Sequence, residues 1–327
     1  MPSQRVMEWL LDDAEPSIRY LALRQLEGKS ESDAEVRDAR KRIPTAGWAA
    51  QILAERDPGG WWVHERNLYV PKYLATNWRL LVLSDLGVAR NVPAVRESCE
   101  LWMDRWKLRG GGIGGNSNGQ GHHCITANMT RALIRLGYAN DPRIRKSVEW
   151  LVRTANPKGG WSCWSFGDRP STSRNLDSWE GLSVFAAYPR SKWTPAMQGC
   201  AERGAEFFLE RELHRQGERY APWYRFHYPV HYYYDVLVGL DLLTALGYSH
   251  DRRLASALAL LRRKRRTDGR WNLDAIHPDV AGATAAWYQA HPRDRPTPWG
   301  LEAVGGPSRM ITLIASRVLA RVDGTAR

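Results

Sequence analysis

The stretch that decides the fold is residues 132–151, ALIRLGYANDPRIRKSVEWL. An apolar helix runs to Leu136, Gly137 stops it, a polar turn follows, and a second amphipathic helix begins near Pro142. Glycine at a helix end takes the left-handed cap conformation that other residues resist. The same order recurs upstream as LVLSDLGVARNVPAVRESCELW (81–102) and downstream as LLTALGYSHDRRLASALALL (242–261). Looser copies run over 17–43, SIRYLALRQLEGKSESDAEVRDARKRI, and over 181–209, GLSVFAAYPRSKWTPAMQGCAERGAEFFL.

The markers Gly28, Gly87, Gly137, Tyr188 and Gly247 are spaced about 50–60 residues apart, the long end of the range for helical-pair repeats. A second marker punctuates the other junction: Gly59-Gly60-Trp61-Trp62, Gly159-Gly160-Trp161 and Gly269-Arg270-Trp271, with the glycine run Gly110–Gly115 in the corresponding place. Counting forward predicts inner helices over 16–27, 71–87, 122–137, 174–188, 229–247 and 307–322. Outer helices are predicted over 33–56, 93–108, 142–154, 195–213 and 251–266, with 3–12 or 279–290 as the sixth. The inner set is the more apolar, as expected of helices covered on one side and lining a cavity on the other. Six pairs in series can close into an all-α (α/α)6 toroid; an open solenoid is the alternative. One domain over 1–327 is expected, with 1–44 a degenerate first hairpin and 45–322 the repeat core.

At 43% hydrophobic and 25% charged, the 327 residues have the balance of a globular protein with a large core. No apolar stretch of bilayer-spanning length occurs, and the opening Met1–Leu10 carries no apolar signal core. Cys99, Cys124, Cys163 and Cys200 are too sparse and irregular for a disulfide framework. A cytoplasmic protein is the expectation. The formal charge of +12 admits an anionic partner, yet the basic residues are spread along the chain and only Arg262–Arg266 forms a run. Nucleic acid is therefore not the expected partner, whereas peripheral contact with an anionic membrane stays open.

The junctions SVEWLVRTANPKGGWSCW (147–164) and ALALLRRKRRTDGRWNL (257–273) join helix, short polar stretch, Gly-x-Trp and loop. This pattern resembles the prenyltransferase and squalene-oxidase repeat shared by terpene cyclases and protein prenyltransferase β-subunits. The resemblance covers about residues 45–322. It implies the toroid, and an enzyme acting on an isoprenoid or other apolar substrate. Class II terpene cyclases protonate their substrate with Asp-x-Asp-Asp, a motif missing from this sequence, so acid-initiated cyclisation of that kind is not the expectation. Prenyltransferases hold zinc with Asp-x-Cys at one inner-helix start and His at the next. Asp177-Ser178-Trp179 and His231-Tyr232-Tyr233 match in the Asp and the His, with Trp179 where the cysteine would be.

Inner helices that run the same way bring their starts to one mouth. His122, His123, Cys124, Asp177, His227, His231 and Asp235 would meet there, with Cys163 in a loop beside them. Thiolate, imidazole and carboxylate are the donors of tetrahedral Zn2+. The expected ligands are Cys124, Cys163, Asp177 and His231, with His123 as a substitute fourth. Asp177, His231 and Asp235 are the candidate catalytic groups. Trp161, Trp164, Trp179, Tyr232 and Tyr234 would face an apolar substrate, and Arg174 and Arg309 would grip a phosphate. The competing reading makes the cysteines small buried hydrophobes and His231 a packed core residue.

Two other function classes fit the same sequence. One is a non-catalytic toroid binding a lipid or protein partner in its cavity. The other is a carbohydrate-active toroid with Asp177, Glu180 and Asp235 as acid and base. The run Gly110–Gly121 follows a helix and lacks Gly-Lys-Ser/Thr, which excludes a phosphate-binding P-loop. A mobile lip over the mouth is expected instead.

Overall fold

The computed structural model describes residues 2–116, 118–163, 173, 175–214, 221–231, 233–276, 289, 292 and 299–325. Inner helices are α2 (Pro16–Gln25), α5 (Thr76–Asp85), α7 (His123–Leu133), α9 (Asn175–Ala187), α11 (Val236–Ala245) and α13 (Arg309–Val322). Outside them lie α1 (Gln4–Leu10), α3 (Ala34–Arg42), α4 (Gly47–Ala54), α6 (Pro93–Arg105), α8 (Pro142–Thr154), α10 (Pro195–Leu209) and α12 (Ala255–Arg263). The described residues contain isolated β-bridges but no strand.

The packing makes a ring. Helix α7 packs on α5 and α9, α11 on α9 and α13, and α13 returns to α2. The last step of the circle is Gly87, whose missing side chain admits the Tyr20 ring; a Cβ there would lie 2.7 Å from it. Arg309 ties the seam by donating to the Trp9 carbonyl and to Asp12, and Arg317 donates to Gln25 at 2.8 Å. The N-terminal and C-terminal segments thus close one toroid. Among the described residues no helix is long and apolar enough to cross a membrane.

The tryptophan turns set the register of the ring. Trp62, Trp161 and Trp271 each donate an indole N–H to the carbonyl ten residues earlier on the preceding outer helix, at 2.8, 3.0 and 2.8 Å. Each also donates its backbone N–H, at 3.0 Å, to a hydroxyl on the following inner helix: Thr76, Ser178 and Thr312. All three indoles are buried, so both polar ends need these partners. In the first copy the structural tryptophan is Trp62, while Trp61 folds back over Gly59. In the glycine run Ile113 takes the place, and its N–H donates to Ser147 on α8 at 2.8 Å. The turn itself is the same, Leu108 donating to the Gly112 carbonyl as Asn156 does to that of Gly160. Elsewhere in the run Gly115 bridges Gly121, and Gly114 lies against Thr126 of α7.

Two inner helices start later than the apolar pattern predicts, at Thr76 instead of 71 and at Val236 instead of 229. Both prefixes contain a cis X-Pro bond, Val70–Pro71 and Tyr228–Pro229, and two residues on a side chain at positive φ: Tyr73 (74°) and His231 (49°). Proline has no N–H to give a helix ladder. Helix α11 starts instead where Asp235 can cap it, its Oδ1 accepting the Val238 N–H at 2.8 Å. The long outer helix predicted over 33–56 is likewise two, α3 and α4, broken before Gly47. The sixth outer position falls to α1, packed by the last tryptophan turn with Trp9 under Arg270. The alternative, 279–290, lies outside the described residues except for Gln289.

Candidate functional site

The starts of α5, α7 and α9 enclose a cleft of about 170 Å³ lined by Tyr69, Lys72, Trp78, Ile125, Cys124, Asn128, Asp177 and Glu180, among others. Spacing of three residues on α9 puts Asp177 and Glu180 on one face. Glu180 is fully buried, and its Oε1 accepts the Asn128 amide N–H at 2.5 Å. Burial raises the Glu180 carboxyl well above the ordinary carboxylate range, and the charges of Cys124 and Asp177 add to it. The Asn128 amide and, beyond it, Arg131 work in the other direction. Glu180 is therefore biased toward its protonated form, with the Asn128 amide placed to hold its anion.

Beside the acid, Cys163 and Asp177 are joined through the backbone. The Cys163 N–H donates to Asp177 Oδ2 at 3.0 Å, and the Cys124 N–H donates to Cys163 Sγ at 3.0 Å. Contact with the Cys124 thiol, then burial, pushes the Cys163 thiol up, so it stays protonated. The sequence reading thus places Cys124, Cys163 and Asp177 correctly together.

The four-ligand zinc set does not assemble. His231 precedes α11 by several residues; its ring stacks on Tyr73, centroids 3.9 Å apart, and meets the edge of Trp78. His123 turns the other way, with Nδ1 against the Ser162 carbonyl at 2.9 Å and the ring on Trp150. Burial lowers its pKa, keeping the ring neutral. Among the described residues no group of three or more His, Cys, Asp or Glu could hold a metal ion. The donors present do not fit the zinc site that the family resemblance implies.

Asp235 is not free for the cleft either. It caps α11 and takes His227 Nδ1 at 2.6 Å, both side chains being buried. Of the aromatic candidates, Trp161 and Tyr234 are core: the first is fixed by Leu151, the second donates its hydroxyl to the Leu213 carbonyl at 3.1 Å. Trp179 does line the ring interior, beneath the Arg131 guanidinium at 4.9 Å. Arg309 belongs to the ring seam, held by Trp9 and Asp12. Trp164, Arg174 and Tyr232 lie outside the described residues.

A larger cavity of about 330 Å³ runs through the ring, lined by residues from each of the six inner helices. The stacked Tyr73–His231 pair lies close to both: Trp78, which touches His231, lines the cleft, and neighbouring Val230 lines the cavity. Arg131 was missed as a site residue, and Glu180 was read only as part of the carbohydrate-active alternative. The available signal was a carboxyl in the middle of an apolar inner helix, where nothing nearby in sequence offers a charge to neutralise it.

No family model matches the sequence, and no curated protein does. Solved structures similar to this chain include a protein from Actinoplanes, 18% identical over 98% of each chain with a TM-score of 0.46. The type II terpene cyclase MstE from Scytonema is 15% identical over 95% of this chain and 88% of its own, with a TM-score of 0.45. A variant of it in complex with geranylgeranyl dihydroxybenzoate, its substrate, is 16% identical over 96% and 88%, again at 0.45.

Proposed function

We propose that the chain is a terpene cyclase-like enzyme that holds an isoprenoid or similarly apolar alkene and starts its reaction by proton transfer from Glu180. The observation that carries this reading is a fully buried carboxyl, its protonated form favoured by that burial, at the edge of a cleft walled by Tyr69 and Trp78. An acid of raised pKa in a dry site can protonate a weak base such as a carbon–carbon double bond. The Glu180 proton forms a new C–H bond, and the positive charge moves to the neighbouring carbon, where aromatic faces stabilise it. Ring closure passes the charge along the chain until a proton is lost to a carboxylate, Asp177 or the emptied Glu180. The sum is an isomerisation that consumes no oxidant and no co-reactant. The Asn128 amide accepts the role of holding the transient Glu180 carboxylate. Zinc takes no part in these steps.

The test is turnover in D2O with geranylgeraniol and geranylgeranyl diphosphate as probes, read by mass spectrometry. A cyclised isomer carrying one deuterium is expected. Glu180→Gln, nearly the same shape, is expected to lower the rate about 10²–10⁴-fold without lowering the melting temperature. A product without deuterium, or full activity in Glu180→Gln, overturns the reading. Binding of both probes without any turnover favours the non-catalytic toroid.

A further inference from the structure

The large cavity changes character along its length. Its middle is apolar, with Trp179, Leu237, Ile311 and Ile314 among the lining residues. Its far end, where the inner helices finish, is walled by Arg40, Arg131, Arg135, Arg317 and Arg321 against only two carboxylates, Asp85 and Asp241. Those two are already engaged. Asp85 takes Arg135 at 2.5 Å. Asp241 accepts from Arg317 Nε at 2.7 Å and from Arg321 Nη1 at 2.9 Å, and the two guanidiniums hold its carboxyl far below the usual range.

Arg131 has no such partner. It is 4% exposed, and its Nε is buried without a hydrogen bond among the described residues. Its guanidinium reaches the amide oxygen of Asn128 at 3.3 Å and lies over the Trp179 ring. Neither contact neutralises it, and burial pulls its pKa down to about 10. A buried cation is stable only when an anion or a full set of acceptors meets it. Asp85 and Asp241 act on Arg131 through space but form their hydrogen bonds with Arg135, Arg317 and Arg321, so five arginines share two carboxylates at this end.

We infer that this end of the cavity binds the anionic head of an amphiphile, a carboxylate or a phosphate, whose apolar body fills the cavity toward Trp179. The head pairs with Arg131 and is flanked by Arg135, Arg317 and Arg321. The inference rests on the reading that the ring holds an apolar ligand, and it adds which end of that ligand is charged and where the charge sits. This end is opposite to the inner-helix starts at which a phosphate-gripping arginine was expected.

The experiment is equilibrium binding to the full chain of three probes with the same body: geranylgeraniol, geranylgeranic acid and geranylgeranyl diphosphate. At least one anionic probe is expected to bind about tenfold or more tighter than the alcohol; whichever of the two is the tighter identifies carboxylate or phosphate as the head. Arg131→Gln is expected to erase that advantage while leaving the affinity for geranylgeraniol in place. Arg135→Gln, at a side chain more than a third exposed and so tolerant of loss, is expected to cut the advantage by a few-fold; it decides the matter if Arg131→Gln fails to fold. Turnover is read separately: tighter binding of an anionic probe without any product supports this inference while counting against the proton-transfer chemistry. Equal affinities for alcohol and anions, no binding of either anion, or an undiminished preference in the arginine variants overturns it.

Discussion

The two ends of the ring handle buried charge in opposite ways. Where the inner helices begin, Glu180 and Cys163 are buried beside like charges, and both are pushed toward their neutral, protonated forms. Where the helices end, Asp241 sits half-buried between Arg317 and Arg321, which keep it ionised. Helix dipoles alone would favour anions at the first end and cations at the second. The arginines obey that preference; Glu180 does not, because desolvation outweighs a fractional dipole charge. One end therefore favours protonated groups and the other ionised ones, the difference on which both proposals draw.

The sharpest way to break this contrast is at the charged end. Asp241→Ala leaves Arg317 and Arg321 facing each other without their common partner. Removing one member of a buried ion pair costs about 3–5 kcal/mol, and the lower figure is expected because the Asp241 side chain is 20% exposed. Urea denaturation measures it; a loss under 1 kcal/mol would mean the cluster is solvated rather than held. At the acid end the packing of α9 is the weak point. A Cβ on Gly181 would fall 2.5 Å from the Trp161 ring, which its indole hydrogen bond holds in place. Gly181→Ala is expected to cost about 1–3 kcal/mol, and calorimetric melting reads the change.

A gentler probe uses pH. Burial raises the Glu15 carboxyl, which receives the Trp48 N–H, to about 7. Its folded-state pKa lies above its unfolded one, so the folded form binds the proton more tightly. The stability it contributes is complete below about pH 4.5 and is lost as pH rises to about 7. Melting temperature is expected to fall between pH 5 and 7.5 at constant salt, and Glu15→Gln to flatten the slope. The smallest effect is expected from a chelator: elemental analysis should find no stoichiometric zinc, and EDTA should leave melting unchanged.

Much of the ring was legible because its punctuation is local. Gly87, Gly137 and Gly247 stop inner helices by adopting positive φ, a property written in the residue itself. The tryptophan turns repeat a hydrogen-bond pattern whose parts lie within ten residues of one another on one side. The site was less legible. The sequence juxtaposed Cys124, Cys163 and Asp177 correctly, since Cys124 and Asp177 sit at helix starts and Cys163 follows the Trp161 turn by two residues. It misplaced His231, because the apolar pattern runs on through 229–235 while the backbone does not become helical until Val236. It passed over Arg131, because whether an arginine is paired depends on which side chains from distant repeats face it. Pairs four apart at inner-helix ends, Arg131 with Arg135 and Arg317 with Arg321, were the trace left in the sequence.

The central claim is the protonation state of one carboxyl. Infrared difference spectroscopy of the parent chain minus Glu180→Gln at neutral pH tests it directly. The account predicts a carbonyl stretch from a protonated carboxylic acid that the variant lacks. A difference spectrum showing only the paired bands of an ionised carboxylate would contradict it.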